Sequence, residues 1–90
     1  MLSVRMTSRF RKSLKKVSGS GSFNRRGLKK VVETLSSEKK LDKNYKDHSL
    51  SGDMVYHREC HIEFDLLLIY RIEEDNLVLV NIGSHPELFG

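Results

Sequence analysis

Ninety residues make a single domain, and a domain of that size buries only a modest share of its surface, so an active site has to lie in a surface groove. No stretch approaches the ~20 consecutive apolar residues of a membrane span, which removes membrane-spanning functions. Met1-Leu2-Ser3-Val4-Arg5 lacks the sustained apolar core and cleavage site of a secretory signal, so a cytosolic location is expected. Cys60 is the only cysteine, which excludes an internal disulfide and reads as a small core residue. Charge is distributed unevenly: residues 1–46 hold 14 Lys and Arg against Glu33, Glu38 and Asp42, a net +11, whereas residues 47–90 hold Arg58 and Arg71 against nine acids, a net −7. A half-chain this basic attracts polyanions such as RNA, DNA or an acidic protein; the plainer reading is a pair of well-solvated helices.

Leu2, Val4 and Met6 alternate with polar neighbours, which predicts a short, half-buried first strand. Thr7 or Ser8 can cap the helix that follows over 8–17, where Phe10, Leu14 and Val17 form one stripe and Arg9, Arg11, Lys12, Lys15 and Lys16 cover the rest. Ser18-Gly19-Ser20-Gly21-Ser22 reads as a flexible connection inside a helical hairpin, each flank being too short to fold alone. A second basic amphipathic helix is predicted over about 23–37, with Leu28, Val31, Val32 and Leu35 at i, i+3, i+4 and i+7. Residues 36–50 read as a long polar loop carrying Lys46-Asp47-His48.

Three strands follow. From Met54 to Ile62, Met54, Tyr56, Arg58, Cys60 and Ile62 share one face, while Val55, His57, Glu59 and His61 share the other. Leu66-Leu67-Leu68-Ile69-Tyr70-Arg71-Ile72 is apolar on both faces, as a central strand is. Glu73-Glu74-Asp75-Asn76 gives a hairpin turn into Leu77–Ile82, and Pro86 suits the start of a one-turn helix ending near Phe89. The order β-α-α-β-β-β predicts an α+β domain spanning 1–90, with an N-terminal strand and a helical hairpin packed on one face of a mainly antiparallel sheet.

His48, His61 and His85 come from three different elements, each beside a loop or strand end, and can converge on one groove. Imidazole accepts and donates protons near neutrality, as RNA transesterification needs when a base deprotonates the 2′-hydroxyl and an acid protonates the departing 5′-oxygen. Asp65, four residues past His61, can orient an imidazole or take a proton itself. The same side chains admit other readings. A single histidine is most often a structural residue, and His48, His57, His61 and Asp65 together could ligate a metal, although no pair stands at the helical i, i+4 spacing of a metalloprotease motif.

Three blocks resemble a known family: Tyr45-Lys46-Asp47-His48-Ser49-Leu50; Arg58-Glu59-Cys60-His61-Ile62-Glu63-Phe64-Asp65-Leu66-Leu67-Leu68-Ile69-Tyr70; and Gly83-Ser84-His85-Pro86-Glu87-Leu88-Phe89-Gly90. In this order and separation they are similar to the RelE/YafQ toxins of bacterial type II toxin–antitoxin modules, the YafQ branch being the nearer. The likeness covers nearly the whole chain. It implies a microbial RNase-like fold, cleavage of mRNA on the ribosome without cofactor or metal, and a cognate antitoxin that wraps and silences the toxin. Carried over position by position, it makes His48 a catalytic or phosphate-contacting histidine, His61 and Asp65 the proton-transfer block, and His85 a general acid or base. Phe89 becomes the aromatic that positions RNA, and Lys46 a source of phosphate-stabilising charge. Two positions depart from the pattern: Ser49 stands where proline is usual, and Asn81 where members often carry an arginine. An amide cannot neutralise a dianionic phosphorane, so either Lys46 or ribosomal RNA supplies that charge, or this member is a slow enzyme.

A competing reading makes the chain a non-catalytic RNA- or ribosome-binding translation inhibitor acting through its basic helices. A gyrase-poisoning toxin on the same fold is disfavoured, since that chemistry has no use for the three histidines.

Overall fold

The computed structural model describes residues 1–21 and 23–89; Ser22, in the expected flexible connection, and Gly90, in the last family-like block, lie outside the described residues. The elements run β1 (Ser3–Met6), α1 (Ser8–Ser18), α2 (Arg25–Ser36), β2 (His48–Ser49), β3 (Arg58–Glu63), β4 (Leu66–Glu73), β5 (Asn76–Gly83) and α3 (His85–Phe89). The sheet has five strands in the order β1-β5-β4-β3-β2, with β1 parallel to β5 and every other pair antiparallel. No helix among the described residues is long and apolar enough to cross a membrane.

Capping fixes both helix starts. Thr7 Oγ1 accepts from the Phe10 N–H at 3.0 Å and Asn24 Oδ1 from the Gly27 N–H at 2.9 Å, each satisfying a first-turn donor that the helix cannot. The apolar stripes then meet the sheet: Phe10, Val31 and Leu35 pack with Cys60, Ile62, Leu66, Leu68, Tyr70, Leu77, Leu79 and Ile82 in one cluster. Gly27 lets α2 approach β3 closely, since a Cβ there would stand 2.9 Å from Ile62 Cγ2 and 2.6 Å from Asn24 Nδ2. Cys60 is fully buried in this layer, and burial pushes its thiol up to about 12, which makes it an inert core residue.

Three expectations change. β1 lies at the sheet edge, so Leu2 is buried but Val4 and Met6 stay 43% exposed. The expected strand from Met54 begins only at Arg58: Gly52–Met54 is a single 3-10 turn entered through Gly52 at φ 67°, and Tyr56 is 86% exposed, so the alternation of Met54 with Tyr56 does not mark a pleat. The polar loop is also partly ordered, with a 3-10 turn at Lys43–Tyr45 and the two-residue strand β2.

Register and bulges position the site. Cys60, Leu68, Tyr70 and Leu79 face the helices, so the intervening Glu59, His61, Leu67 and Ile69 face the other way. One row across the sheet runs His48, Glu59, Ile69, Asn81 and the next runs His61, Leu67, Gly83. Each of two bulges adds a residue, Ile62 on β3 directly after His61 and Val80 on β5 directly before Asn81. Bulges of this kind re-aim side chains at sheet rims.

Candidate active site

The open face gathers every histidine expected at the site. β2 is only two residues long, but its pairing of His48 with Glu59 places His48 Nε2 3.6 Å from Glu59 Oε1. His61, two residues along β3 on the same face, brings its own Nε2 to 3.7 Å from that oxygen. The His85 ring stands edge-on to His61 with centroids 5.9 Å apart, and Phe89 lies a further 5.9 Å beyond His85.

Local chemistry sets each position. His48 Nδ1 lies 2.6 Å from the Lys46 carbonyl oxygen, which can only accept, so Nδ1 carries the proton and Nε2 is left facing Glu59. Lys46 adopts a left-handed φ of 51° that ends the 3-10 turn and swings the chain into β2. Behind it, Asp47 Oδ1 accepts from the buried Tyr70 hydroxyl at 2.7 Å and from Arg58 Nε at 3.2 Å, and Arg58 also donates to Ser49 Oγ at 2.8 Å. The segment carrying Lys46 and His48 is thereby tied to β3 and β4.

At the other end, Ser84-His85-Pro86-Glu87 forms a reciprocal capping box. The Ser84 N–H donates to Glu87 Oε1 at 2.9 Å and the Glu87 N–H to Ser84 Oγ at 3.4 Å; the Ser84 N–H, then the Ser84 side chain and Lys16, hold the exposed Glu87 carboxyl below its ordinary range. Lys16 Nζ, 3.3 Å from Glu87 Oε2, joins this short helix to α1. Asp65, expected to orient an imidazole or to take a proton itself, accepts the His85 backbone N–H at 3.2 Å and so ties the start of α3 to the turn after β3.

Burial lowers the proton affinity of His61, whose side chain is only 19% exposed; Glu59 pulls the other way, and Lys46, His85 and His48 add to the lowering. His61 is therefore held neutral further into acid than a free imidazole. Glu59, 3% exposed, was not among the residues singled out from the sequence. Its signal was there, as an acid two residues from His61 on the same face of a strand, but it read as one more member of a polar face. Asn81 is committed elsewhere: its Oδ1 accepts from Ser13 Oγ on α1 at 2.6 Å and from the Ile82 N–H at 2.9 Å. His57 stands apart, in a separate cleft with Tyr56, Arg71, Ile72 and Glu73. No three His, Cys, Asp or Glu side chains among the described residues are arranged to hold a metal ion together.

The fold is that of a class of small bacterial toxins. A metal-bound toxin from Helicobacter pylori is 44% identical over 99% of this chain and 100% of its own, with a TM-score of 0.91. A copper-bound mutant toxin from the same organism is 37% identical with the same coverage and a TM-score of 0.94. YafQ from Escherichia coli strain BL21(DE3) is 26% identical over the whole of both chains, with a TM-score of 0.92. The family model for the bacterial toxin of type II toxin–antitoxin systems, YafQ, matches residues 2–90. The chain belongs to the YafQ toxin family. The mRNA interferase toxin YafQ of Escherichia coli strain K12 is 41% identical over 46 residues, 51% of this chain and 50% of that protein. The putative toxin YafQ of Haemophilus influenzae is 35% identical over 61 residues, 63% of this chain and 60% of that protein. The matched segments thus span between half and three fifths of the curated relatives.

Proposed function

We propose that this toxin is an endoribonuclease that cleaves mRNA on the translating ribosome by metal-independent acid–base chemistry, and that a cognate antitoxin neutralises it. The observation that carries the reading is the buried Glu59 carboxylate set between His48 and His61, with His85 at the edge of His61. Two relatives named mRNA interferase toxin YafQ support the substrate class, and a DinJ–YafQ complex supports the antitoxin.

In this mechanism neutral His61 takes the proton of the 2′-hydroxyl, the freed oxygen bonds to the adjacent phosphorus, and the phosphorus–5′-oxygen bond breaks as His85 delivers a proton to the leaving oxygen. The products are a 2′,3′-cyclic phosphate and a 5′-hydroxyl end. Glu59 stabilises the imidazolium that forms on His61, His48 contacts the phosphate, Lys46 stabilises the phosphorane, and Phe89 positions the chain beside His85. Asp65 acts as a positioning residue through the His85 N–H. Because the nucleophile belongs to the substrate, no water needs activation by a metal. The antitoxin reading rests on an open apolar groove bordered by Val4, Met6, Leu14 and Leu28 and flanked by Arg25, Lys29 and Glu33, whose net positive rim suits an acidic amphipathic segment.

Single-turnover assays on programmed ribosomes and on a minimal RNA test the proposal. New 5′-hydroxyl ends, blocked by 2′-O-methylation at the cut site and persisting on free RNA in EDTA, are the expected result. Ribosome stalling without new ends would establish the non-catalytic binder, and loss of free-RNA cleavage in EDTA that is restored by copper or zinc would overturn metal independence.

A further inference from the structure

Phe64 is 96% exposed, more than any other large apolar side chain described, and contributes nothing to the core. It occupies the tight turn between β3 and β4, three residues after His61 and directly before Asp65. That turn is anchored, since Asp65 Oδ1 holds the His85 N–H at 3.2 Å. Phe64 also borders a cleft of about 380 Å³ that Asn44, Tyr45, Lys46 and His61 line as well.

We propose that Phe64 is the platform on which a nucleobase flanking the scissile phosphate stacks, with Asn44 bonding the base edge and Lys46 the phosphate. This rests on the ribonuclease reading and assigns that site its base-binding pocket. Single-stranded RNA is held mainly by stacking unpaired bases on aromatic rings, and a backbone phosphate lies within a few ångströms of every base. The cleft unites what such a substrate needs: aromatic rings, an amide that both donates and accepts, one cation, and the proposed base His61. A peptide partner seeking only an apolar contact would find a lysine, an asparagine, a histidine and Glu63 around the ring instead. An exposed phenylalanine costs a soluble protein nothing it needs for folding, but a flat ring on an anchored turn beside a proton-transfer residue serves to place a base.

Binding of a short 2′-O-methyl oligonucleotide with 2-aminopurine at its two central positions and adenosines on either side tests this without requiring cleavage. The wild-type protein should bind it and quench its fluorescence. Phe64→Ala should bind about 5- to 150-fold more weakly, the range for losing one stacked base, and should lose the quenching. Phe64→Trp should retain both, and Phe64→Leu, apolar but without a ring, should behave as the alanine variant. Since the side chain is solvated, all three should melt within a few degrees of wild type. Failure of the wild type to bind or quench, equal binding by Phe64→Ala, wild-type behaviour of Phe64→Leu, or a Phe64→Ala defect confined to antitoxin capture would each overturn the proposal. A wild-type protein that binds and quenches yet cuts the 2′-hydroxyl counterpart neither free nor on programmed ribosomes would refute the ribonuclease reading and leave the stacking platform standing.

Discussion

Replacing Glu59 with glutamine removes the one charge that both strand histidines share while keeping the shape of the side chain. Its Oε1 stands 3.6 Å from His48 Nε2 and 3.7 Å from His61 Nε2. A unit-charge pair about 4 Å apart is worth ~1 kcal/mol in water and ~4 kcal/mol at an effective dielectric of ~20. If His61 becomes an imidazolium in the transition state, that range converts to a loss of about fivefold to about a thousandfold in kcat. Glu59 is buried and His61 mostly covered, whereas half of the His48 side chain is exposed, so the loss through His61 should dominate.

The pH profile gives a second, independent reading. Burial lowers the proton affinity of His61 while Glu59 raises it, so removing Glu59 leaves only lowering influences and His61 gives up its proton at still lower pH. The acid limb of kcat/KM, where protonation disables the base, should therefore move toward acid in Glu59→Gln even as the plateau falls. Single-turnover cleavage across the pH range, alongside a thermal melt, measures both. A folded Glu59→Gln enzyme with an unchanged plateau and an unmoved acid limb would show that this carboxylate does not act on His61, and the proposed roles of both would fall together.

Two further substitutions probe the frame around the site. Asp47→Ala strands the buried Tyr70 hydroxyl, which should cost about 1–3 kcal/mol and lower Tm by several degrees in calorimetry, with a loss of cleavage as Lys46 and His48 lose their tether; a variant as stable as wild type would show that the Asp47–Tyr70 bond is not formed in solution. Asn81→Arg should raise single-turnover cleavage by adding charge in the row that holds Glu59 and His48, while costing about 1 kcal/mol as the Ser13 and Ile82 hydrogen bonds disappear; an unchanged rate in both the wild-type and Lys46→Ala backgrounds would place residue 81 out of reach of the phosphate.

What could be read from the sequence was what short-range spacing encodes. Phe10, Leu14, Val31 and Leu35 recur at helical intervals and pack as that spacing requires. Leu67 and Ile69 alternate with Leu68 and Tyr70, and all four are buried because β4 lies at the centre of the sheet. What escaped was set by distant partners. β2 is too short to show a period, and it is a strand only because β3 lies beside it. Glu59 looks like any solvated acid on an alternating strand, and only the pairing of β2 with β3 brings His48 to its oxygen. Asp65 stands at the spacing from His61 that suggests a partner for an imidazole, but the bulge after His61 and the start of α3 direct it to a backbone N–H instead. Asn81 follows a bulge as well, and its place in a strand over Leu77–Ile82 gave no hint of Ser13 as its partner.

The uneven charge of the chain has a spatial counterpart that separates binding from chemistry. Arg9, Arg11, Lys12, Lys15, Arg25, Arg26, Lys29 and Lys30 are all exposed on the two helices, which cover the face of the sheet opposite Glu59 and His61. Those on α2 lie behind the sheet from His61 and His85, so their contribution to an anionic target is expected to be steering and anchoring through the long-range field. Neutralising the four on α2, Arg25, Arg26, Lys29 and Lys30, with glutamine should therefore raise KM on ribosomes and flatten its dependence on salt, by up to ~0.7 in the log–log slope for each phosphate that the helix no longer neutralises. It should leave kcat at saturating substrate near the wild-type value, because His61, Glu59 and His85 are untouched. Glutamine keeps helix propensity close to that of arginine and lysine, so α2 should persist. Titrating ribosomes at several salt concentrations separates the two constants. If kcat falls as far as kcat/KM while the salt slope stays fixed, the basic helices act within the chemical step and the division between the two faces of the sheet is wrong.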